Sequence, residues 1–457
     1  MSRCVLQLIN ENQRARDYTL IMFEQIFRAF RHRNYRLYFF GQGTSLIGNW
    51  LTDVAMAWMV YRLSRDSQAG SAAFLLGVVG FSEQIPMLVL APIAGVFADR
   101  WNRRNILVIT NALSMLQSAV LFLLTYYRMI TIPDLIVLCV FQGIVNSFDM
   151  PARQAFLVEI VEDRDDLPNA IAMNSSMFNG ARLVGPAVAG LLIAAVGEAA
   201  CFAIDAISYL AVIGSLLAMV VVRAPSTSKR LSAVREFKDG ISYAFGSPPI
   251  LVTILYVAWI SFMCMPIMVL MPIFADQLNQ TGHSGHGART LGFLMASSGV
   301  GALCGAAYLA TRKTVVGIGK VMVFAAVTLG ASLIAFTLTM NFWCCMASLL
   351  TGGVGMILVM ASGNTFLQSV VSDNKRGRVM SLFGTAVMGM APFGSLLAGW
   401  LATRIGEQAT MMAGGACCIL AGIVFAILLP SLRKHVRPMY LAKGIIPPEG
   451  SGTFRRP

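Results

Sequence analysis

Charge is what this sequence has least of. Only 12% of its 457 residues are Asp, Glu, Lys or Arg, about half the roughly 25% share of an average soluble domain. A soluble fold that is 56% hydrophobic could not cover its apolar surface with so few polar side chains, whereas a lipid exterior removes that demand. Histidine is scarcer still. His32, His283, His286 and His435 are the only four, and none lies inside an apolar run, which argues against His-based or metal catalysis within the bilayer. The pair His283 and His286, in a Gly-rich loop, is a poor metal site, so neither metal nor cofactor is expected. The chain has no GxxxxGK[ST] loop, which argues against ATP-driven work within it. The nine Cys lie mostly inside apolar runs without CxxC or zinc spacing, and they read as small buried side chains. Residues 1–34 are too polar for the apolar core of a cleavable signal peptide.

What is present is a succession of apolar runs, twelve in all, from 36–61 at one end to 409–430 at the other. A helix needs about 20 apolar residues to cross a bilayer, and isolated strands cannot satisfy their backbone in lipid. The expected fold is therefore an all-α membrane protein of twelve transmembrane helices. The longest polar stretch between runs, 223–248, divides them six and six. The expected organisation is a cytoplasmic segment over 1–34, a six-helix bundle over 35–222, a linker over 223–248, a second bundle over 249–430 and a basic tail over 431–457. Residues 18–34 alternate apolar and basic positions at helical spacing, which suggests a short amphipathic helix on the cytoplasmic membrane surface, with a disordered tail as the alternative.

The formal net charge of +13 would suggest nucleic acid in a soluble protein. Here the basic residues sit in short loops, where they set topology instead. With both termini inside, all of the 35 Lys and Arg fall on the cytoplasmic side except Arg62, Arg65, Arg128, Arg182, Arg289 and Arg404, the asymmetry expected of a multi-pass protein with cytoplasmic ends.

The loop after the second span reads Gly95-Val96-Phe97-Ala98-Asp99-Arg100-Trp101-Asn102-Arg103-Arg104. It resembles the G-x-x-x-D-R-x-x-R-R/K signature of the major facilitator superfamily. Arg33-Asn34-Tyr35-Arg36-Leu37, Ser45-Leu46-Ile47-Gly48-Asn49-Trp50, Asp149-Met150-Pro151-Ala152-Arg153-Gln154-Ala155, and Asn174, Asn179, Arg182 and Gly185-Pro186 in span five are similar to the drug:proton antiporter branch that holds macrolide exporters and the enterobactin exporter. The second half departs from the signature: after span eight the chain reads Gly305 to Lys313 without the acid. The resemblance implies two pseudo-symmetric bundles, a bacterial inner-membrane location and a functional monomer. It also implies proton-coupled export of a small amphipathic molecule such as a drug, macrolide or siderophore, by alternating access. A lipid or lysophospholipid flippase, or a proton-coupled importer, is the alternative on the same fold.

Charges inside spans cost about 2.5–3.5 kcal/mol on insertion scales, so each calls for a role. Asp53 in span one is a candidate for proton coupling, with a hydrogen-bonded structural acid near the outer face as the competing role, and Glu83 in span two is a candidate proton or cationic-substrate site. Arg182 in span five is expected to pair with one of these acids, to hold an anionic substrate group, or to make a structural ion pair. Asp205 follows Glu198 closely and is expected at a helix end near the outer interface. Gly95, Asp99, Arg100, Arg103, Arg104, Asp149 and Arg153 are expected to form a cytoplasmic gate, joined by Glu159, Glu162 and Asp163, unless they are merely solvated loop charges. Gly180, Gly185, Pro186 and Gly190 are expected to give close packing and bending where the halves meet, with Pro266, Pro272 and Pro392 doing similar work. Among the aromatic and Met residues, Trp58, Phe81, Trp259, Phe262, Met263, Met265, Met388 and Met390 are candidates for an adaptable cavity lining, though most such residues pack or face lipid.

Overall fold

The computed structural model describes residues 28–67, 71–161, 163–220, 242–280, 287–312, 314–443 and 445. Among the described residues, a 3-10 turn at Arg28–Arg31 is followed by twelve long helices. They are α1 (Arg33–Ser67), α2 (Ala72–Arg100), α3 (Arg103–Tyr126), α4 (Ile132–Ile160), α5 (Leu167–Val196) and α6 (Glu198–Ala218), then α7 (Pro248–Gln280), α8 (Gly287–Thr311), α9 (Ile318–Leu338), α10 (Phe342–Val370), α11 (Asp373–Ile405) and α12 (Glu407–Ala442). Eleven are long and apolar enough to cross a membrane. The other, α1, carries Gln42, Asn49, Asp53 and several hydroxyl residues along its middle, and its 35 residues exceed the length a crossing requires. Most of the 18–34 segment and of the 223–248 linker, together with Glu162, His283 and His286, lies outside the described residues. So do the side chains of Asp99, Met265 and Pro266.

Local sequence chemistry sets the helix boundaries. Asn102 caps α3 by accepting from the backbone N–H groups of Arg104 (3.0 Å) and Asn105 (3.4 Å). Thr131 and Asp134 form a capping box at the start of α4, and Asn341 caps α10 through Trp343 and Cys344. Such caps satisfy donors that a helix start leaves open. Single glycines separate α5 from α6 and α11 from α12. Gly197 (φ 84°) and Gly406 (φ 86°) hold a backbone that L side chains rarely adopt, and each is followed by a Glu at the helix start, where the N-terminal dipole favours an acid.

Those two glycine junctions are equivalent positions in a repeat. Within the first six helices the main packing pairs are α1 with α5 and α6, α2 with α4, and α3 with α4 and α6. Adding six to each number reproduces the main pairs of the second bundle: α7 with α11 and α12, α8 with α10, and α9 with α10 and α12. The bundles meet along two seams, α2 on α11 and α5 on α8, which the same operation exchanges. One face of the bundle carries the Arg100–Arg104 turn and is called the basic end below; the opposite face is called the far end.

Candidate functional site

The first bundle encloses a polar cavity of about 100 Å³ at mid-helix depth. Five helices contribute to it: α1 (Asn49, Thr52, Asp53), α2 (Glu83), α3 (Gln117), α4 (Cys139, Gln142, Asn146) and α6 (Asp205, Tyr209). Close helix approach makes this convergence possible. A Cβ on Gly143 would stand 2.1 Å from the carbonyl oxygen of Glu83, and one on Gly48 would stand 2.5 Å from Oδ1 of Asp205, so glycine is what fits at both crossings.

Asp205 departs from its expected place. It lies two turns inside α6 rather than at its end, is only 1% exposed, and accepts from the hydroxyls of Thr52 (2.8 Å) and Ser118 (2.7 Å), both at Oδ2. The helix-end acid is instead Glu198, which pairs with Arg62 at 3.3 Å. Asp53 and Glu83 line the same cavity, and neither accepts a hydrogen bond from a described residue. Asp53 is exposed although it sits midway along α1, so the cavity opens at that carboxylate. Tyr209 donates to Asn49 at 2.8 Å, and Gln142 donates to Ser114 and Asn146.

Arg182 does not join this group. It forms no ion pair among the described residues, so neither Asp53 nor Glu83 is its partner. It projects from α5, half-buried, with Cys264 of α7 among its titratable neighbours.

The seams are uneven along their length. Toward the far end, a Cβ on Gly292 of α8 would stand 2.6 Å from the carbonyl oxygen of Pro186 and 2.9 Å from Cα of Gly190. On the other seam a Cβ on Gly399 would meet the carbonyl oxygen of Ala73 at 2.6 Å and Cα of Gly77 at 3.1 Å. Phe81 of α2 packs edge-on against Phe393 of α11 at 5.9 Å. Toward the basic end, among the described residues, a Cβ on Gly95, Gly180 or Gly384 would meet nothing within 4 Å. Gly190 thus sits between the bundles, whereas Gly185 packs on Trp50 within the first bundle and Gly180 faces open space, a division the sequence did not reveal.

A polar clasp, unforeseen from the sequence, joins the bundles at the far end. Asp276, near the end of α7, accepts at Oδ2 from the hydroxyl of Tyr61 (2.8 Å), Nη1 of Arg65 (2.8 Å) and Nε2 of Gln280 (2.9 Å). Trp58 lies beside it against Gly287. A lone acid near the end of an otherwise apolar helix, opposite an arginine near the end of another, was the available signal.

Among the described residues, the basic-end side chains of the first bundle make the following bonds. Arg103 bonds Glu159 at 2.5 Å and the carbonyl oxygen of Ala98, Arg104 donates to the carbonyl oxygen of Leu217, and Arg153 pairs with Asp149 one turn away on α4. Asp149 also accepts from Thr110 of α3 at 2.8 Å. Arg100 is exposed.

Against known proteins, the model of the transmembrane secretion effector family matches residues 25–439. The chain is 26% identical to the staphyloferrin A transporter of Staphylococcus aureus, covering 87% of this chain and 96% of that one. It is 28% identical to the multidrug efflux pump Tap of Mycolicibacterium fortuitum, with the same shares covered. Among solved structures, nucleoside transporter NupG superposes with a TM-score of 0.65 at 13% identity, over 87% of this chain and 98% of that chain, a likeness of fold. The signature loop, the twelve helices paired in two equivalent sixes and the family match agree: the chain belongs to the transmembrane secretion effector family of the major facilitator superfamily.

Proposed function

We propose that this protein is a proton-coupled exporter of a small amphipathic molecule, with Asp53 and Glu83 as the groups that load and release the proton. The observation that carries the reading is the polar cavity itself. Maintaining carboxylates at mid-membrane depth is costly, and neither of these two is held by a hydrogen bond from a described residue. The relatives, named as a staphyloferrin A transporter and a multidrug efflux pump, support a small-molecule substrate and a role other than catalysis. Arg182, which forms no ion pair among the described residues, favours a substrate that carries a carboxylate.

Alternating access fits the uneven seams. Lys and Arg dominate the basic end, which the positive-inside rule assigns to the cytoplasm together with both termini. The structure is then open inward, with residues 35–222 and 249–430 as the two rocking bodies, and glycine packing and the Asp276 clasp closing the outside. In the outward-open state the bundles would close at the basic end, where Asp99, Arg103, Asp149 and Arg153 form the proposed inner gate. The setting is a bacterial inner membrane and the working unit a monomer.

The test is flux in proteoliposomes driven by a pH step, with a fluorescent dye, a macrolide and a carboxylate siderophore as substrates. The wild type should move at least one of them uphill, and Asp53→Asn and Glu83→Gln should lose the pH response while still binding substrate. Wild-type acceleration by the pH step in both variants would remove these residues from coupling.

A further inference from the structure

We propose that the cavity of the first bundle binds one monovalent inorganic cation, with Asp205 as its innermost ligand. The lining is unbalanced in charge. Asp53 from α1, Glu83 from α2 and Asp205 from α6 face it, Cys139 of α4 and Tyr209 of α6 are its other titratable neighbours, and α3 contributes neutral Gln117. No Lys, Arg or His lines it.

The lining is also unbalanced in hydrogen bonding. Asp205 uses Oδ2 for both hydroxyl partners and leaves Oδ1 buried with none. Gln142 spends its amide N–H groups on Ser114 and Asn146, which leaves its Oε1 buried and unpartnered. With the carboxylates of Asp53 and Glu83, four acceptor groups of the lining residues have no partner among the described residues, against three amide nitrogens, those of Gln117, Asn49 and Asn146. Buried acceptors left open cost free energy that a bound cation or water recovers. An excess of oxygen acceptors is the chemistry that takes up a hard cation.

Size and ligand number narrow the occupant. About 100 Å³ is well below the roughly 300–1,000 Å³ of a pocket for a drug-sized ligand, and suits an ion with a little water. The described residues bring no three His, Cys, Asp or Glu side chains close enough to hold a metal ion together, which disfavours a divalent ion needing several charged ligands. Amide and hydroxyl oxygens around one or two carboxylates suit a singly charged ion.

The placement gives binding a mechanical consequence. Thr52, which holds Asp205, neighbours Asp53 on α1, and the same helix carries Tyr61 and Arg65 to the clasp. The site lies within the coupling cavity proposed above and rests on that reading, since a proton and Na⁺ would compete for the same carboxylates.

The test is thermal unfolding of the purified full-length protein in detergent, at constant ionic strength, in NaCl, LiCl, KCl or choline chloride, at alkaline and at acidic pH. Na⁺ or Li⁺ should raise the midpoint over choline at alkaline pH, and the gain should shrink in acid. Asp205→Asn should weaken the apparent Na⁺ affinity about 10-fold or more, and Gln142→Leu, which keeps all three carboxylates, by a smaller factor. Equal midpoints in all four salts at both pH values, or a Na⁺ gain that both variants keep, overturns the proposal. A second arm separates the two readings. Flux that responds to a pH step in Na⁺-free buffer, without any cation effect on unfolding, removes the cation site and leaves proton coupling. A cation effect without pH-driven flux does the reverse.

Discussion

The two bundles share a scaffold and divide the chemistry. Their packing pairs map onto one another, and Gly197 and Gly406 break the chain at equivalent points. Yet the first bundle gathers Asp53, Glu83 and Asp205 around one cavity, whereas Asp276 and Arg404 of the second lie near their helix ends. The second bundle's interior is built instead from close glycine contacts. A Cβ on Gly301 would stand 1.9 Å from the carbonyl oxygen of Leu350, and one on Gly353 would stand 2.1 Å from that of Ser298. In the proposed cycle, one half senses the ion and the other follows as a stiff body, coupled through the seams and the Asp276 clasp. A fold repeat therefore constrains geometry while leaving chemistry free to concentrate on one side.

Breaking a seam should give the largest effect. At Gly292 a larger side chain would meet backbone atoms of α5 at 2.6 and 2.9 Å, and backbone cannot step aside as a side chain tip can. Overpacking of this kind costs about 1–3 kcal/mol, which shifts a two-state balance roughly 5- to 150-fold. Gly292→Leu should therefore populate a form opened at the far end. Gly180→Leu, at a position with no described neighbour within 4 Å, should leave the present form intact and hinder only the opposite closure. Spin-label distances between α5 and α8, measured near each end, read both outcomes. Equal distances at the far end in Gly292→Leu and wild type would show that the second bundle deforms rather than moving as one body.

The clasp should matter less, and its parts unequally. Arg65 is 59% exposed in its pair with Asp276, and exposed ion pairs contribute about 0–1 kcal/mol. Tyr61 makes a buried hydrogen bond to the same carboxylate, and bonds to charged groups contribute about 1.5–3 kcal/mol. The expected order of far-end opening, on the same spin-label measurement, is Asp276→Asn above Tyr61→Phe above Arg65→Ala. If Arg65→Ala opens the far end most, long-range charge rather than the buried bond links the halves.

How much of this could be read in the sequence follows from where each signal is stored. The twelve long helices were legible because each apolar run carries its own signal, and the Gly95–Arg104 loop because its residues are contiguous. The cavity was not, because Asp53, Glu83 and Asp205 come from three helices that only packing brings together. Asp205 was misplaced by its nearness to Glu198, although seven residues of helix are two full turns and carry it well past the end. Arg182 was expected to have an acid as one possible partner, since pairing is the usual escape for a buried charge; its position on the α5 side of a seam leaves those acids to the cavity. Asp276 drew no notice, because one acid near a helix end looks ordinary until Tyr61 and Arg65 arrive from 211 or more residues away.

The smallest expected effect contrasts how the two bundles are tied at the basic end. In the first, Asp166 at the start of α5 holds the entering chain through His32 (3.0 Å) and Arg28 (2.6 Å). In the second, the contact is neutral at the acceptor: Lys443 donates to the carbonyl oxygens of Ser369 and Val371. The hydrogen bond from His32, opposed by burial and aided by Arg28, holds the Asp166 carboxyl below the usual carboxylate range. A depressed carboxylate contributes stability that is fully present above its unfolded value, about 3.9, and is lost as pH falls through its folded value. The unfolding midpoint of wild type should therefore exceed that of Asp166→Asn by a constant small margin down to about pH 4, and the margin should close as the pH is lowered further. Lys443→Met should differ from wild type by an amount that does not change across the same interval, because no carboxylate titrates in that contact. A margin for Asp166→Asn that stays constant into acid would mean the tie acts through packing of the 3-10 turn alone, and the first bundle's dependence on charge would then be confined to its interior.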